Sequence, residues 1–212
     1  MDVELVFKLI LIAEFSAFSV LRILYYRLAR RAGRRTVIEE SRGYSIVLSV
    51  FICYEVASFF LHILYPPALA WARIPMGAWL RSAGAAVGVL ALLLFIWVHR
   101  SLGHNFSMTL RISDEHTLVM AGPYGAVRHP MYTAFGMLHV SVFFLTANWF
   151  IGLTWTAGLV AIIALRIRRE EAMMMERFGE AYASYVMRTG RFLPLIRRVE
   201  TAGPGPATRR NP

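Results

Sequence analysis

The side chains able to do chemistry fall in two short blocks. The first runs from His116 through Leu118, Val119, Gly122, Pro123, Tyr124, Arg128, His129, Pro130 and Met131 to Tyr132, before and into an apolar stretch. The second, Arg166-Ile-Arg-Arg-Glu170-Glu171, closes that stretch. Gly122-Pro123 forces a turn, and Pro130 suits the first turn of a helix, where its missing N–H costs nothing. A helix starting there presents free backbone donors beside Arg128, His129 and Tyr132. Arg166 and Glu170 are four residues apart on one helix face, where a local ion pair is worth ~0.3–0.5 kcal/mol. Singly, each has an ordinary use: Pro130 as a helix starter, Arg128 as a headgroup contact, Tyr132 as an interfacial aromatic. Together they mean more, because Pro130 to Leu165 contains no formally charged residue and is interrupted at Ala147-Asn148. Two short helices, Met131 to Thr146 and Trp149 to Leu165, joined by a tight turn at the far membrane face, return both blocks to the same face. Arg, Glu, His and Tyr side chains then converge on a pocket that a polar cofactor can enter from the cytosol and a lipid-soluble substrate from between helices.

Composition sets the frame for that hairpin. Of 212 residues 57% are apolar and 17% charged, and the mean hydropathy is +0.51, against ~45–50% apolar and ~25% charged in an ordinary soluble domain. A water-soluble globule and a disordered chain are both excluded. Five segments meet the length of a membrane span, roughly 20 residues: Leu5 to Tyr26, Tyr44 to Tyr65, Ala78 to His99, and the two arms of the hairpin. The first is expected to be a retained helix, since no cleavage-site pattern follows it. Gly84 and Gly88 in the third have the spacing that lets two helices approach closely. The loop from Arg100 to His129 is polar and irregular. After Leu165, Ile167, Met174, Phe178, Tyr182 and Tyr185 recur at helical spacing, which predicts an amphipathic surface helix. From about Thr201 the chain reads as a frayed tail. The fold class is all-α and polytopic, an integral membrane protein of about five transmembrane helices with a C-terminal amphipathic surface helix. Residues 1–100 would hold three spans on the substrate-access side, 101–200 the cofactor-binding core, and 201–212 the tail.

The net charge of +10, with 22 of 23 basic residues arginine, reads as orientation and headgroup contact, with no nucleic-acid partner expected. Arginines crowd the first loop, the long loop and the C-terminal segment. The positive-inside rule therefore puts the N-terminus outside and the C-terminus in the cytoplasm.

Several site types are missing. There is no GxGxxG after a strand, no GxxxxGK[ST], no HExxH and no GxSxG, which leaves a soluble-type nucleotide fold, a P-loop and the common hydrolase elbows unsupported. Cys53 stands alone, so no intramolecular disulfide or CxxC site exists. His99 and His104 have no third partner at ligand spacing, and no metal is expected. Glu14, Glu55 and His62 lie inside spans, where an ionisable group is costly unless paired or facing a cavity. Glu14 with Arg22, or Glu55 with a neighbouring helix, would serve as internal polar glue, and His139 as a hydrogen-bonded packing residue.

The order Gly122-Pro123-Tyr124, Arg128-His129-Pro130-x-Tyr132, an apolar hairpin, Glu170-Glu171, Phe178-Gly179-x-x-Tyr182-x-x-Tyr185 and Arg191-Phe192-Leu193-Pro194 resembles the isoprenylcysteine carboxyl methyltransferase family and its phospholipid methyltransferase relatives. The likeness covers about Leu102 to Pro194 and looks like a short prokaryotic-type form. It implies a multi-span helical enzyme that uses S-adenosylmethionine without a Rossmann domain. By resemblance the cofactor is held by His116, Leu118 and Val119, by Tyr124, by the His129, Pro130, Met131 and Tyr132 element, and by Glu170. Arg166 would lie at the methyl acceptor, a lipophilic small molecule or lipidated group drawn from the membrane lipids. Carboxyl O-methylation of an isoprenylcysteine-like acceptor is the expected reaction, in a prokaryotic inner membrane with the site facing the cytoplasm. An NADPH-dependent membrane reductase of the sterol-reductase type, which shares the His-Pro-x-Tyr element, and a phospholipid amine N-methyltransferase are the alternatives.

Overall fold

The computed structural model describes residues 2–31, 42–103 and 117–195. Five helices follow in chain order: α1 (Val3–Arg31), α2 (Arg42–Leu64), α3 (Ala78–Leu102), α4 (Pro130–Thr146) and α5 (Trp149–Arg188). Among the described residues the only β contacts are two isolated bridges, Arg73 with Asn148 and Val127 with Gly190. The all-α, polytopic expectation holds, and each helix overlaps the apolar run that predicted it. Among the described residues α2, α3 and α5 are long and apolar enough to cross a membrane, while α4 is apolar but shorter, at 17 residues. Outward-facing Val50, Phe60, Leu90, Leu93, Val160 and Leu165 are exposed, as a helical surface solvated by lipid allows.

α3 sits at the centre, against α4 on one side and α1 on the other, and its two glycines explain how. A Cβ at Gly84 would strike the Cβ of Phe144 on α4, and one at Gly88 would strike the Glu14 carboxylate of α1. The close-approach reading of this pair is borne out, with a different neighbour at each glycine. Around the contact, Leu11, Phe95, Leu145, Ile151 and Trp155 are almost fully buried. Glu14 is buried too and accepts a 2.7 Å hydrogen bond from Ser141 Oγ of α4. The expected Glu14–Arg22 pair is not formed. Arg22 lies two turns further along α1, its guanidinium 5.9 Å from the centre of the Phe135 ring.

The far end of the bundle is closed by polar clamps. Buried Arg81 donates to Glu4 Oε1 and to the Leu145 carbonyl, each at 2.7 Å. The α4–α5 turn falls where Ala147-Asn148 predicted it. Ala147 is left-handed (φ +46°), and the Asn148 side chain accepts from Ile151 N at 3.0 Å while donating to Leu69 O at 2.8 Å.

The end of the hairpin departs from expectation. The amphipathic segment is continuous with the fifth span: α5 runs on past Leu165 as far as Phe178, about 45 Å at ~1.5 Å per residue and half as long again as the ~30 Å bilayer core, and a kink at Gly179 separates the last short helix, which ends at Arg188. The reason is local. Between Leu165 and Phe178 the chain is rich in Arg, Glu, Ala and Met, all good helix formers, with no glycine or proline to stop it. The break comes at Gly179 (φ +50°, ψ −124°), a conformation that side-chain-bearing residues avoid. The predicted stripe exists: Ile167, Tyr182 and Tyr185 are buried, and Met174 and Phe178 half-buried. His104, His116 and the tail from Thr201 lie outside the described residues.

Candidate active site

The last turn of α5 is held down by the chain that follows it. Residues 189–192 run back beside residues 127–129, with Arg128 N donating to Gly190 O at 2.8 Å and His129 N to Arg191 O at 3.0 Å. Thr133 Oγ1 adds a bond to Phe192 O at 2.8 Å. Arg128 completes the clasp: its Nη1 donates to Val186 O at 3.0 Å and to Thr189 O. A cation there satisfies orphan carbonyls and suits the negative end of the helix dipole. Arg128 is thus an internal cap, and its reading as a headgroup contact is corrected.

This clasp sets His129 between two carboxylates. Its Nε2 donates to Glu171 Oε1 at 3.2 Å, and its Nδ1 lies 3.5 Å from Glu170 Oε2. Glu170 Oε1 also accepts from Tyr132 OH at 3.0 Å and from Arg166 Nε at 2.6 Å. Glu171 accepts from Arg191 Nε at 3.0 Å and faces Arg128 Nε at 3.5 Å. The Arg166–Glu170 pair is therefore present but not isolated: it is one side of a network joining α4, α5 and the returning chain. On the opposite wall Tyr185 OH donates to Tyr124 O at 2.7 Å, tying the 122–125 turn to the end of α5.

Burial alone would push the Glu170 carboxyl up. The hydrogen bond from His129 and the charge of Arg166 outweigh it and hold this carboxyl below the usual carboxylate range. Glu171 is likewise held down against its burial by Arg191 and His129. Burial pushes the Tyr182 and Tyr185 hydroxyls up to about 12, so both stay protonated donors. With folded values below the ordinary carboxylate value of ~4.3, the carboxyls contribute stability that is complete above that value and lost as pH falls through the folded ones.

A cavity of about 680 Å³ opens from this network into the bundle, within the ~300–1,000 Å³ of small-molecule sites. Leu118, Val119, Tyr124, His129, Met131, Tyr132, Arg166 and Glu170 all line it. Of the residues singled out in the sequence, Pro130 is buried at the start of α4 and off the cavity wall, and His116 lies outside the described residues. The Met174, Tyr182 and Tyr185 face of α5 roofs the cavity; the amphipathic stripe marked these residues, but a stripe cannot say whether it covers lipid or a ligand. Tyr44 of α2 was missed altogether. It hydrogen-bonds Arg166, whose guanidinium lies 5.8 Å from the centre of its ring. Away from this polar end, Phe15, Phe18, Leu48, Phe51, Ile52 and Leu138 make the wall apolar. Among the described residues no group of three metal-ligating side chains comes together.

The fold is a polytopic helical bundle whose cavity has a polar end at one face and an apolar slot behind it. The isoprenylcysteine carboxyl methyltransferase (ICMT) family model matches residues 84–176, which bears out the resemblance carried by the motifs. Protein-S-isoprenylcysteine O-methyltransferase of Rattus norvegicus is 27% identical over 132 residues, 61% of this chain and 46% of that protein. The enzyme of that name from Schizosaccharomyces pombe is 31% identical over 96 residues, 44% of this chain and 41% of that protein. This chain spans about half the length of the curated relatives it matches. In fold it is similar to the solved eukaryotic intramembrane Ras methyltransferase ICMT, with a TM-score of 0.57 and 24% identity over 88% of this chain and 68% of that one.

Proposed function

We propose that this chain is an integral membrane methyltransferase that moves the methyl group of S-adenosylmethionine onto the carboxylate of a lipophilic, isoprenylcysteine-like acceptor. The observation that carries this reading is the single cavity in which the Glu170 network meets an apolar slot between α1, α2 and α4. The donor set suits the cofactor. Glu170 offers a buried carboxylate to a cation, Tyr124 and Tyr132 offer ring faces, and a positive charge over an aromatic face is itself attractive. Leu118, Val119, Tyr124, His129, Met131, Tyr132 and Glu170 would hold it, with Pro130 fixing the start of α4 and His116 added by resemblance. When bound, S-adenosylmethionine supplies a methyl group already activated by its sulfonium.

The chain's own part is positioning and exclusion of water. Arg166 would orient the acceptor carboxylate, for which a planar guanidinium is suited, and Tyr44 steadies Arg166 from α2. A general base works best with a pKa near the working pH. Glu170 and Glu171, held below the usual range, are poor bases, which favours an acceptor already ionised over an amine or thiol that must lose a proton. Residues 101–200 then form the cofactor core, and residues 1–100 the acceptor side.

Purified protein should bind S-adenosylhomocysteine and ignore NADPH, as read by calorimetry. The reverse would favour the membrane reductase and sink the methyltransferase. The cofactor end should face the cytoplasm of a prokaryotic inner membrane, with five spans and the N-terminus outside. With exposed Cys53 replaced by serine, cysteines at Met120 and Trp71, both exposed, should react with impermeant reagents from opposite sides, Met120 from the cytoplasmic one. Reaction of both from one side would overturn that topology.

A further inference from the structure

Besides Arg128 of the clasp, two arginines line the cavity, Arg166 of α5 and Arg22 of α1. They differ in what they already hold. Arg166 donates to Glu170 Oε1 at 2.6 Å and also hydrogen-bonds Tyr44, so its charge is matched within the chain. Arg22 makes no hydrogen bond or ion pair with any described residue. Glu55 and Tyr44 lie within its electrostatic reach, but the Glu55 carboxylate is taken by His139, whose Nε2 is 3.0 Å from Oε1. Among the described residues the polar side-chain atoms both sealed off and unpartnered are Glu14 Oε1, Arg81 Nε and His139 Nδ1. No Arg22 nitrogen is one of them, so its donors are open to the cavity. A guanidinium stays charged and carries five N–H donors, and a charge in a membrane interior needs a partner or a cavity ligand.

Its position is that of an amphiphile's head. The Arg22 guanidinium rests 5.9 Å from the centre of the Phe135 ring. Phe135 follows Tyr132 by three residues, on the same face of α4 and roughly 4.5 Å further into the bundle at ~1.5 Å per residue. Tyr132 itself bonds Glu170 at 3.0 Å. On the other side Phe18, one turn back along α1, packs with its ring centre 5.5 Å from that of Phe135 and belongs to the apolar wall. Arg22 therefore stands about one helical turn inside the Glu170 network, where the polar end gives way to the slot. A ligand whose tail fills the slot brings its head to that place. Arg22 also lies outside residues 84–176, where the family model matches.

We propose that Arg22 is the counter-ion of the acceptor's carboxylate, a specificity-determining contact that selects the ionised acid, while Arg166, already balanced by Glu170, orients that carboxylate for transfer. The proposal rests on the methyltransferase reading for the nature of the acceptor. Its consequence is a sorting of acid from ester. The acceptor carries a negative charge before methylation and none afterwards, so the contact holds substrate and releases product. An interaction that fades as the charge disappears stabilises the bound acid more than the transition state. Loss of the charge in Arg22→Gln should therefore fall on KM for the acceptor far more than on kcat.

The test is calorimetric binding, in phosphatidylcholine nanodiscs and without methyl donor, of a prenylated cysteine derivative with a free carboxylate and of its primary carboxamide, which has nearly the same shape and no charge. The wild-type chain should bind the acid at least about tenfold more tightly than the amide. Arg22→Gln should bring the two together by weakening the acid alone, and Arg22→Lys, which keeps the charge, should restore most of the preference. Equal wild-type affinity for acid and amide overturns the proposal, and because that comparison needs no variant, misfolding cannot obscure it. A preference that survives in Arg22→Gln and vanishes in Arg166→Ala overturns it too, and gives the charge contact to Arg166. So does an Arg22→Gln chain that binds both compounds equally less well, the mark of a structural role. Failure of the methyltransferase reading looks different. Wild-type binding of S-adenosylhomocysteine without acid preference sinks the counter-ion alone, whereas acid preference without S-adenosylhomocysteine binding sinks the enzyme and keeps Arg22 as the anion contact.

Discussion

Glu170→Ala should lose measurable S-adenosylhomocysteine binding, while Arg166→Ala should keep it and lose turnover. An isolated i,i+4 ion pair would make the two residues equivalent partners, worth tenths of a kcal/mol. The network makes them different. Glu170 gathers Arg166, Tyr132 and His129 on one carboxylate, so its removal leaves three polar groups in a buried site without their acceptor, each costing ~1–3 kcal/mol. Arg166 donates to Glu170 Oε1 at 2.6 Å and reaches towards Tyr44 and α2. Its loss forfeits a charge-assisted contact of ~1.5–3 kcal/mol with an acceptor carboxylate, roughly ten- to hundredfold in turnover at ~1.4 kcal/mol per decade. Calorimetry for binding and labelled methyl transfer for rate separate the two. Equal cofactor affinity and equal residual activity would return the pair to a structural role.

Gly190→Ala should damage the site from a distance. A Cβ at Gly190 would run into the Leu193 carbonyl, a backbone atom that cannot rotate away. The chain after α5 would have to shift, and with it the bonds from Arg128 N and His129 N that set the imidazole between its carboxylates. A loss of about 2 kcal/mol, within the ordinary range for a strained backbone substitution, and a fall in cofactor affinity are both expected. A variant with wild-type Tm and wild-type affinity would show that the clasp does not position His129.

Much of this arrangement was legible in the residues because it depends on local signals. Pro130, the uncharged stretch and the Ala147-Asn148 break define the hairpin, and a hairpin necessarily returns Tyr132 and Glu170 to one face. What was not legible depends on which face of a helix meets which neighbour. Arg128 carries the same charge whether it touches a headgroup or caps α5. Only the returning chain decides it, and that chain has too few apolar residues to show a period. Glu14 found Ser141 in place of Arg22, since partners on separate helices leave no spacing to read. The extension of α5 was underestimated because the change from apolar to charged residues marks where the membrane ends, and a helix does not stop there unless glycine or proline makes it.

The central claim is carboxyl methylation of a lipophilic acceptor, and the chemistry of the product tests it most directly. Purified protein in lipid nanodiscs should be given methyl-labelled S-adenosylmethionine and a prenylated cysteine derivative with a free carboxyl group, and the labelled lipophilic product treated with mild base. A methyl ester releases its label as volatile methanol, so nearly all counts should become volatile, and Arg166→Ala should form little product. Label that stays with the lipid after base, as on nitrogen or sulfur, or no labelled product in a preparation that binds S-adenosylhomocysteine, would contradict carboxylate methylation by this site.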